Sequence, residues 1–370
     1  MRKRCREPIV LCVRGFSQDV RFTRSADGTR LAYAVHGHGY PLVRAAHWLT
    51  NIDLDWQTPM WRPWFDALGE RYHVHRYDSR GCGLSDRAAT DASLDVLVSD
   101  LEAVVDAAGL ERFALLGISQ GGAVSMAYAV KHPDRVSHLV LLGAFARGPL
   151  RRNPTAAELE SQQAQIKLIE VGWGQGNPAF LQLFTNQIFP NANPEQVRSF
   201  NELQRMSCTP HHAAKLVASF SDIDASPCLA QVACPTLVLH TRGDICAPFD
   251  EGLFIASGIP GARLVPLETR SHVPTPGEPS FDRVIEEIEA FVGSAREGQE
   301  AFPNLTPRER QILEHIARGL DNAQIAAHLD LSEKTVRNHI TGVFGKLGVE
   351  NRAQAIVRAR EAGLVVEERR

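Results

Sequence analysis

Gly117-Ile118-Ser119-Gln120-Gly121 lies between the apolar run Phe113–Ile118 and the helix-forming run Gly121–Lys131. The spacing G-x-S-x-G is weak evidence on its own. Between a strand and a helix it describes a turn so tight that its flanking positions need glycine, because side chains would collide there. Such a turn lifts the Ser119 hydroxyl to the edge of a sheet. The next N–H, from Gln120, and the positive end of the following helix then meet at one spot, suited to developing negative charge.

A serine nucleophile needs a base, and the base needs an orienting acid. Outward from the turn, Pro41–Val43, Tyr72–His75, Val136–Leu142 and Thr236–His240 read as buried strands, alternating with helical runs at Met60–Leu68, Ser93–Ala107 and Phe281–Phe291. That alternation predicts an α/β fold with a mostly parallel sheet covered on both faces. Asp244 follows Thr236–His240, and His272 follows the run Arg263–Leu267. Ser, then acid, then His is the chain order this turn takes in an α/β sheet. Ser119, Asp244 and His272 are therefore the candidate catalytic set. Asp222 and Asp224 are weaker candidates for the acid. Both fall in the stretch from Arg147 to Ser226, where the alternation stops. Thr155–Val171, Pro194–Met206 and Pro210–Phe220, broken by Gly172–Pro178, predict a helical lid over about residues 147–226. Its Trp173, Phe180, Phe184 and Phe189 offer an apolar lining, although helical aromatics more often serve as core.

With these residues the sequence resembles the α/β-hydrolase superfamily over about Val20–Val292. Asp78-Ser79-Arg80-Gly81-Cys82-Gly83-Leu84-Ser85-Asp86 is similar to the superfamily's D-x-R-G-x-G-x-S segment. It is read as turn geometry and an arginine that holds the fold. One departure concerns the first oxyanion loop. Members often place His-Gly directly after the third strand, whereas this chain has Arg44-Ala45-Ala46-His47-Trp48-Leu49. The second oxyanion N–H then falls to Trp48, or to Leu49 in a shifted register; alternatively His47 and Trp48 line a ligand pocket. A missing donor would cost roughly 3 kcal/mol of transition-state stabilisation.

Gly293–Asn304 is polar and contains glycine and proline, so residues 293–304 are expected to be a linker. Beyond it every helix carries a start signal. Thr306-Pro307-Arg308-Glu309 forms a capping box, Asp321 and Gln324 repeat it, and Ser332 caps a third helix after the turn Asp330–Leu331. That is helix-turn-helix spacing. Val336, Ile340, Val343 and Leu347 make a buried stripe, and Lys334, Thr335, Arg337, Asn338 and Thr341 lie on the opposite face. Leu305–Glu309, Ile325-Ala326, Leu331-Ser332, Thr335–His339, Lys346–Val349 and Arg352-Ala353 resemble the LuxR/GerE family of DNA-binding domains. The resemblance covers Leu305 to about Leu364. It implies that Lys334, Thr335, Arg337, Asn338 and His339 face double-stranded DNA. It also implies that the last helix, Ala353–Ala362, pairs two copies on a two-fold site, making a homodimer at least on DNA. Gly342 and Gly345 inside the recognition helix each cost about 1 kcal/mol against Ala, so its end is expected to be soft.

Bulk composition agrees with two domains. The chain has 370 residues, 44% hydrophobic and 22% charged, which excludes a disordered or fibrous protein. The net charge of -3 masks a tail from Ala301 with eleven Lys/Arg against nine Asp/Glu, too mild a bias to decide anything. Seven irregularly spaced cysteines without a C-x-x-C pair suggest reduced thiols, with neither a disulfide framework nor a metal site. No cofactor is implied, residues 1–17 read as a disordered extension, and no stretch approaches a membrane span. The expectation is a cytoplasmic DNA-binding transcription regulator of residues 18–292 and 305–370. Its α/β-hydrolase-like domain binds, and slowly hydrolyses, a small apolar or ester-like ligand. The alternative is an active serine esterase with an accessory DNA-binding domain. A third reading, a vestigial pocket, fits poorly with an intact Ser–Asp–His order.

Overall fold

The computed structural model describes residues 16–89, 91–173, 178–302, 304–329, 331–362 and 364; all but the last two residues of the expected N-terminal extension lie outside them. Eight strands form one sheet: β1 (Asp19–Arg24), β2 (Arg30–Gly37), β3 (Tyr40–Arg44), β4 (Tyr72–Tyr77), β5 (Phe113–Ile118), β6 (Val136–Leu142), β7 (Thr236–Thr241) and β8 (Arg263–Leu267). Their order is β1-β2-β4-β3-β5-β6-β7-β8. The six strands from β4 to β8 run parallel, as expected. An antiparallel pair, β1 and β2, extends one edge beyond the expected strands. Every residue of β5 is buried, which is why this strand is a continuous apolar run rather than an alternating one.

Helices α1 (Ile52–Asp55), α2 (Arg62–Gly69), α3 (Leu94–Ala107) and α4 (Gly121–Lys131) precede the insertion. The insertion holds α5 (Ala156–Gly172), α6 (Pro178–Ile188), α7 (Pro194–Ser207) and α8 (Pro210–Asp222), and α9 (Phe249–Gly258) and α10 (Pro279–Ala301) follow it. One apolar layer packs Leu101, Val104, Val124 and Met126 against the sheet. The other packs Trp64, Phe65, Leu68, Val284 and Ile288 on the opposite face. Each layer removes its apolar side chains from water, at about 25 cal/mol per Å² buried. An Arg147–Asp224 bridge and the Gly148 N–H to Ile223 O bond at 2.8 Å pin the two roots of the insertion together.

The Asp78–Asp86 segment binds the fold from inside. Asp78 accepts the Ile52 and Leu84 N–H groups, each at 2.8 Å. Arg80 forks onto Asp100 at 2.7 and 2.6 Å and reaches Asp27 at 2.8 Å. The Arg80 and Asp100 side chains are 2% and 1% exposed. Removing one member of a buried pair strands the other charge away from water, at a cost of about 3 kcal/mol. Asp100→Ala is therefore expected to lose about that much unfolding free energy in urea titration. An unchanged midpoint and slope would contradict this role.

The C-terminal helices α11 (Pro307–Ala317), α12 (Asn322–His328), α13 (Glu333–Leu347) and α14 (Arg352–Glu361) enclose their own core of Ile312, Ile316, Ile325, Val336 and Val343. The expected linker is not loop throughout, because α10 continues through it to Ala301. Phe281, Val284, Ile288 and Val292 nucleate α10 on the sheet, and extending a formed helix costs little once the nucleus is in place. The two domains touch where Arg112 donates to both Glu314 oxygens at 2.7 Å. Arg112 directly precedes β5, so the contact lies at the sheet edge opposite Ser119.

Candidate active site and nucleic-acid interface

β5 ends at Ile118 and α4 begins at Gly121, leaving Ser119 and Gln120 as the whole connection. Ser119 is held at φ 53, a left-handed conformation uncommon outside glycine. It is clamped on both sides: its N–H donates to Leu142 O at 3.0 Å, and Gly122 N–H donates to its carbonyl at 2.9 Å. A Cβ on Gly117 would lie 2.6 Å from Ser125 Oγ and 2.7 Å from Gly122 Cα. Glycine there is a steric requirement. Gln120 is buried and sits at the N-cap of α4, where helix N–H groups lack intrahelical acceptors.

The acid and the base come from the loops after β7 and β8. Asp244 Oδ1 accepts the Cys246 and Ala247 N–H groups at 2.8 and 3.0 Å, which fixes the carboxylate. Its Oδ2 accepts from His272 Nδ1 at 2.6 Å. Burial alone would raise the Asp244 carboxyl; the charge and hydrogen bond of His272 outweigh it and hold the group below its ordinary range. Because Nδ1 donates, Nε2 is the basic nitrogen. It is buried, has no hydrogen-bond partner among the described residues, and His272 lines the same cavity as Ser119. Neither Asp222, paired with Arg151, nor Asp224, bonded to Ser226, takes this place.

Two supports of His272 escaped the sequence reading. Gly143, at φ 55, lies so close that a Cβ would stand 2.9 Å from His272 O and 3.1 Å from its ring. The His272 N–H donates to Ile188 O, at the end of lid helix α6, at 2.8 Å. Cys246 Sγ lies within 4.8 Å of ligand-type atoms of Asp244 and His272, a donor set that could also hold a metal ion. The Asp244–His272 hydrogen bond beside a strained serine favours acid–base work instead. Burial and the Asp244 charge push the Cys246 thiol far up, so it is not a competing nucleophile.

The cavity measures about 470 Å³. Ile118, Phe145, Phe184, Phe189 and Phe220 give it apolar walls. Trp173 is buried behind them, edge-on to Trp48 at 5.7 Å and to Phe184 at 5.7 Å. His47 and Trp48 both line the cavity. His47 Nδ1 stands 3.0 Å from Trp48 O, so that nitrogen carries the proton. Burial foremost, then the Arg44 charge and the neighbouring His272, hold the ring far below its ordinary range. His47 is therefore neutral, and its Nε2, buried and without a hydrogen-bond partner among the described residues, is an acceptor. Leu49 at φ 51 is a second left-handed residue in this loop.

On the C-terminal domain, Ser332 caps α13 by accepting Thr335 N–H, and the two hydroxyls also bond at 2.8 Å. Thr335 is thus partly committed to the cap. Lys334, Arg337, Asn338 and Thr341 are exposed, and His339 is half-buried at the flank. Helix α13 runs unbroken through Gly342 and Gly345; Val343 and Leu347 beside them are buried and Lys346 pairs with Glu309. On α14, Val357 is an exposed apolar side chain.

Comparison with known proteins agrees with both halves. Residues 38–274 match the alpha/beta hydrolase fold family, and residues 303–359 match the bacterial regulatory proteins of the luxR family. A 2-hydroxy-6-oxononadienedioate/2-hydroxy-6-oxononatrienedioate hydrolase of Paraburkholderia xenovorans is 30% identical over 66% of this chain and 81% of its own length. The AB hydrolase superfamily protein YisY of Bacillus subtilis is 28% identical over 64% of this chain and 86% of its own. An esterase of Exiguobacterium antarcticum superposes with a TM-score of 0.63 at 25% identity, covering 74% of this chain and 98% of that one. No helix among the described residues is long and apolar enough to cross a membrane. The chain therefore belongs to the alpha/beta hydrolase family and carries a luxR-family DNA-binding domain at its C-terminal end.

Proposed function

We propose that this protein is a ligand-responsive transcription regulator. Its hydrolase domain binds a small ester-like acyl compound and slowly hydrolyses it, with Ser119 as nucleophile, His272 as base and Asp244 as the acid that orients His272. The observation that carries the enzymatic half is the 2.6 Å Asp244–His272 bond beside a clamped, left-handed Ser119 on one cavity. Gln120 N–H supplies one oxyanion donor and Trp48 N–H the second. Lys334, Thr335, Arg337, Asn338 and His339 meet DNA, and α14 pairs two copies there.

The regulatory half rests on covalent continuity. His272 is tied to the lid through Ile188, and its loop leads directly into α10. Glu278, the N-cap of α10, holds Ser271 and Thr275 Oγ groups at 2.8 and 2.6 Å. A ligand that changes lid position thereby acts on the start of the helix that leads to the DNA-binding domain. It does so only if it binds one arrangement better than the other. Genome-wide occupancy of wild type and Ser119→Ala tests this, with and without a hydrolysable ester. The regulator is expected to occupy discrete promoters, and Ser119→Ala to keep the ester-induced occupancy after wild type has lost it. Absence of specific occupancy in any condition would leave the esterase reading.

A further inference from the structure

The lid root brings to the cavity a cation that the triad does not use and that the fold engages only in part. Arg147 and Arg152 share a single acid, Glu251. Arg147 takes it fully, donating its Nε and Nη2 to Oε1 at 3.1 and 2.7 Å while its N–H holds Oε2 at 3.1 Å. Arg152 is left with a more distant approach, Nε to Oε1 at 3.6 Å. Its Nε instead donates to Arg147 O at 2.7 Å, and Nη2 is buried with no hydrogen-bond partner among the described residues. Arg152 lines the cavity and is only 18% exposed.

Glu251 is taken by Arg147, so Arg152 has no close ion-pair partner of its own at this wall. Burial, together with the Arg147 charge and only partly offset by Glu251 and Asp244, makes the Arg152 charge costly to keep there. The other acids nearby are committed. Asp244 holds His272, and Glu158 Oε2 on the lid closes its own capping box with Thr155 at 2.7 and 2.8 Å. A guanidinium at a cavity wall with Nη2 lacking a partner among the described residues matches the oxygens of a carboxylate.

We propose that Arg152 is an anion-binding residue and that the natural ligand is an acyl compound carrying a carboxylate away from its reactive carbonyl. This rests on reading the cavity as the ligand site, but not on turnover. The carboxylate would bind at the lid root, on the segment that leads into α5.

The test compares two probes of similar length, 4-nitrophenyl hydrogen glutarate and neutral 4-nitrophenyl pentanoate. Binding to the full chain is measured by calorimetry in the Ser119→Ala background, where hydrolysis is removed. The glutarate is expected to bind more tightly. Adding Arg152→Gln should reduce the ratio of the two affinities about 10-fold to 100-fold, the range carried by a charge-assisted hydrogen bond. Arg152→Lys should restore part of it. The ratio is insensitive to a general loss of folding, which would lower both affinities together. A ratio that Arg152→Gln does not move, or no binding of the glutarate, overturns the proposal. Turnover in the Ser119 protein is scored separately: no hydrolysis with an Arg152-dependent ratio would remove the hydrolase reading and keep the anion site.

Discussion

Ser119→Ala is expected to abolish turnover of an activated ester such as 4-nitrophenyl butyrate, lowering kcat by a factor on the order of 10⁶, as removal of a serine nucleophile does elsewhere. What remains would come from the oxyanion donors and from binding alone. The structure refines the expectation for its partners. Nδ1 of His272 can donate to Asp244 because the carboxylate is already fixed by two backbone N–H groups. In Asp244→Asn the amide can present its NH2 to the ring, favouring the tautomer with the proton on Nε2. That nitrogen could then no longer accept the Ser119 proton, and a loss of about 10⁴ in kcat is expected with little change in fold. Stopped-flow release of nitrophenolate measures both. If Ser119→Ala retained the wild-type rate, the hydrolysis would belong to another group or to a contaminant.

The triad candidates were legible because each sits at a strand end, where chain order and turn chemistry leave few choices. Other features had no local signature. β1 alternates without a buried face, and its Phe22 is 56% exposed; an edge strand this polar does not announce itself. Helix α6 begins where the Gly172–Pro178 break ends, which hides its start. The α10 extension contains Ala, Glu, Arg and Gln, strong helix formers, alongside the glycines that suggested a linker. Gly143 and Arg152 matter only through residues distant in sequence, His272 and Glu251, so no window of the chain could reveal them. Trp48 could be placed at the cavity from sequence, but the protonation of His47 could not, since it depends first on burial and then on Arg44 and His272 converging on it.

Replacing Lys334, Arg337 and Asn338 together by Ala is expected to weaken operator binding by on the order of 10³-fold, since a base-contacting Arg carries about 1–3 kcal/mol and each phosphate contact adds to it. The three side chains are exposed on one face of α13, and none belongs to the buried stripe of Val336, Ile340, Val343 and Leu347. The fold should therefore survive, with thermal unfolding close to wild type. Single variants separate the roles. A side chain that touches phosphate weakens all sequences alike and reduces the slope of log K against log salt by about 1; one that reads a base edge relaxes preference at one position and leaves the slope. Arg337 is engaged within the helix only by a long 3.5 Å contact of its Nε with Glu333 O, so its fork is free to pair with a guanine. Asn338 is exposed beside it and suits an adenine. The domain contact through Arg112 and Glu314 engages α11 rather than α13. The proposed recognition face is thus exposed among the described residues, and on that proposal a ligand acting through α10 would change the spacing of two such faces rather than uncover either one. Binding to half-sites one helical turn apart should then respond to ligand, while binding to a single half-site should not.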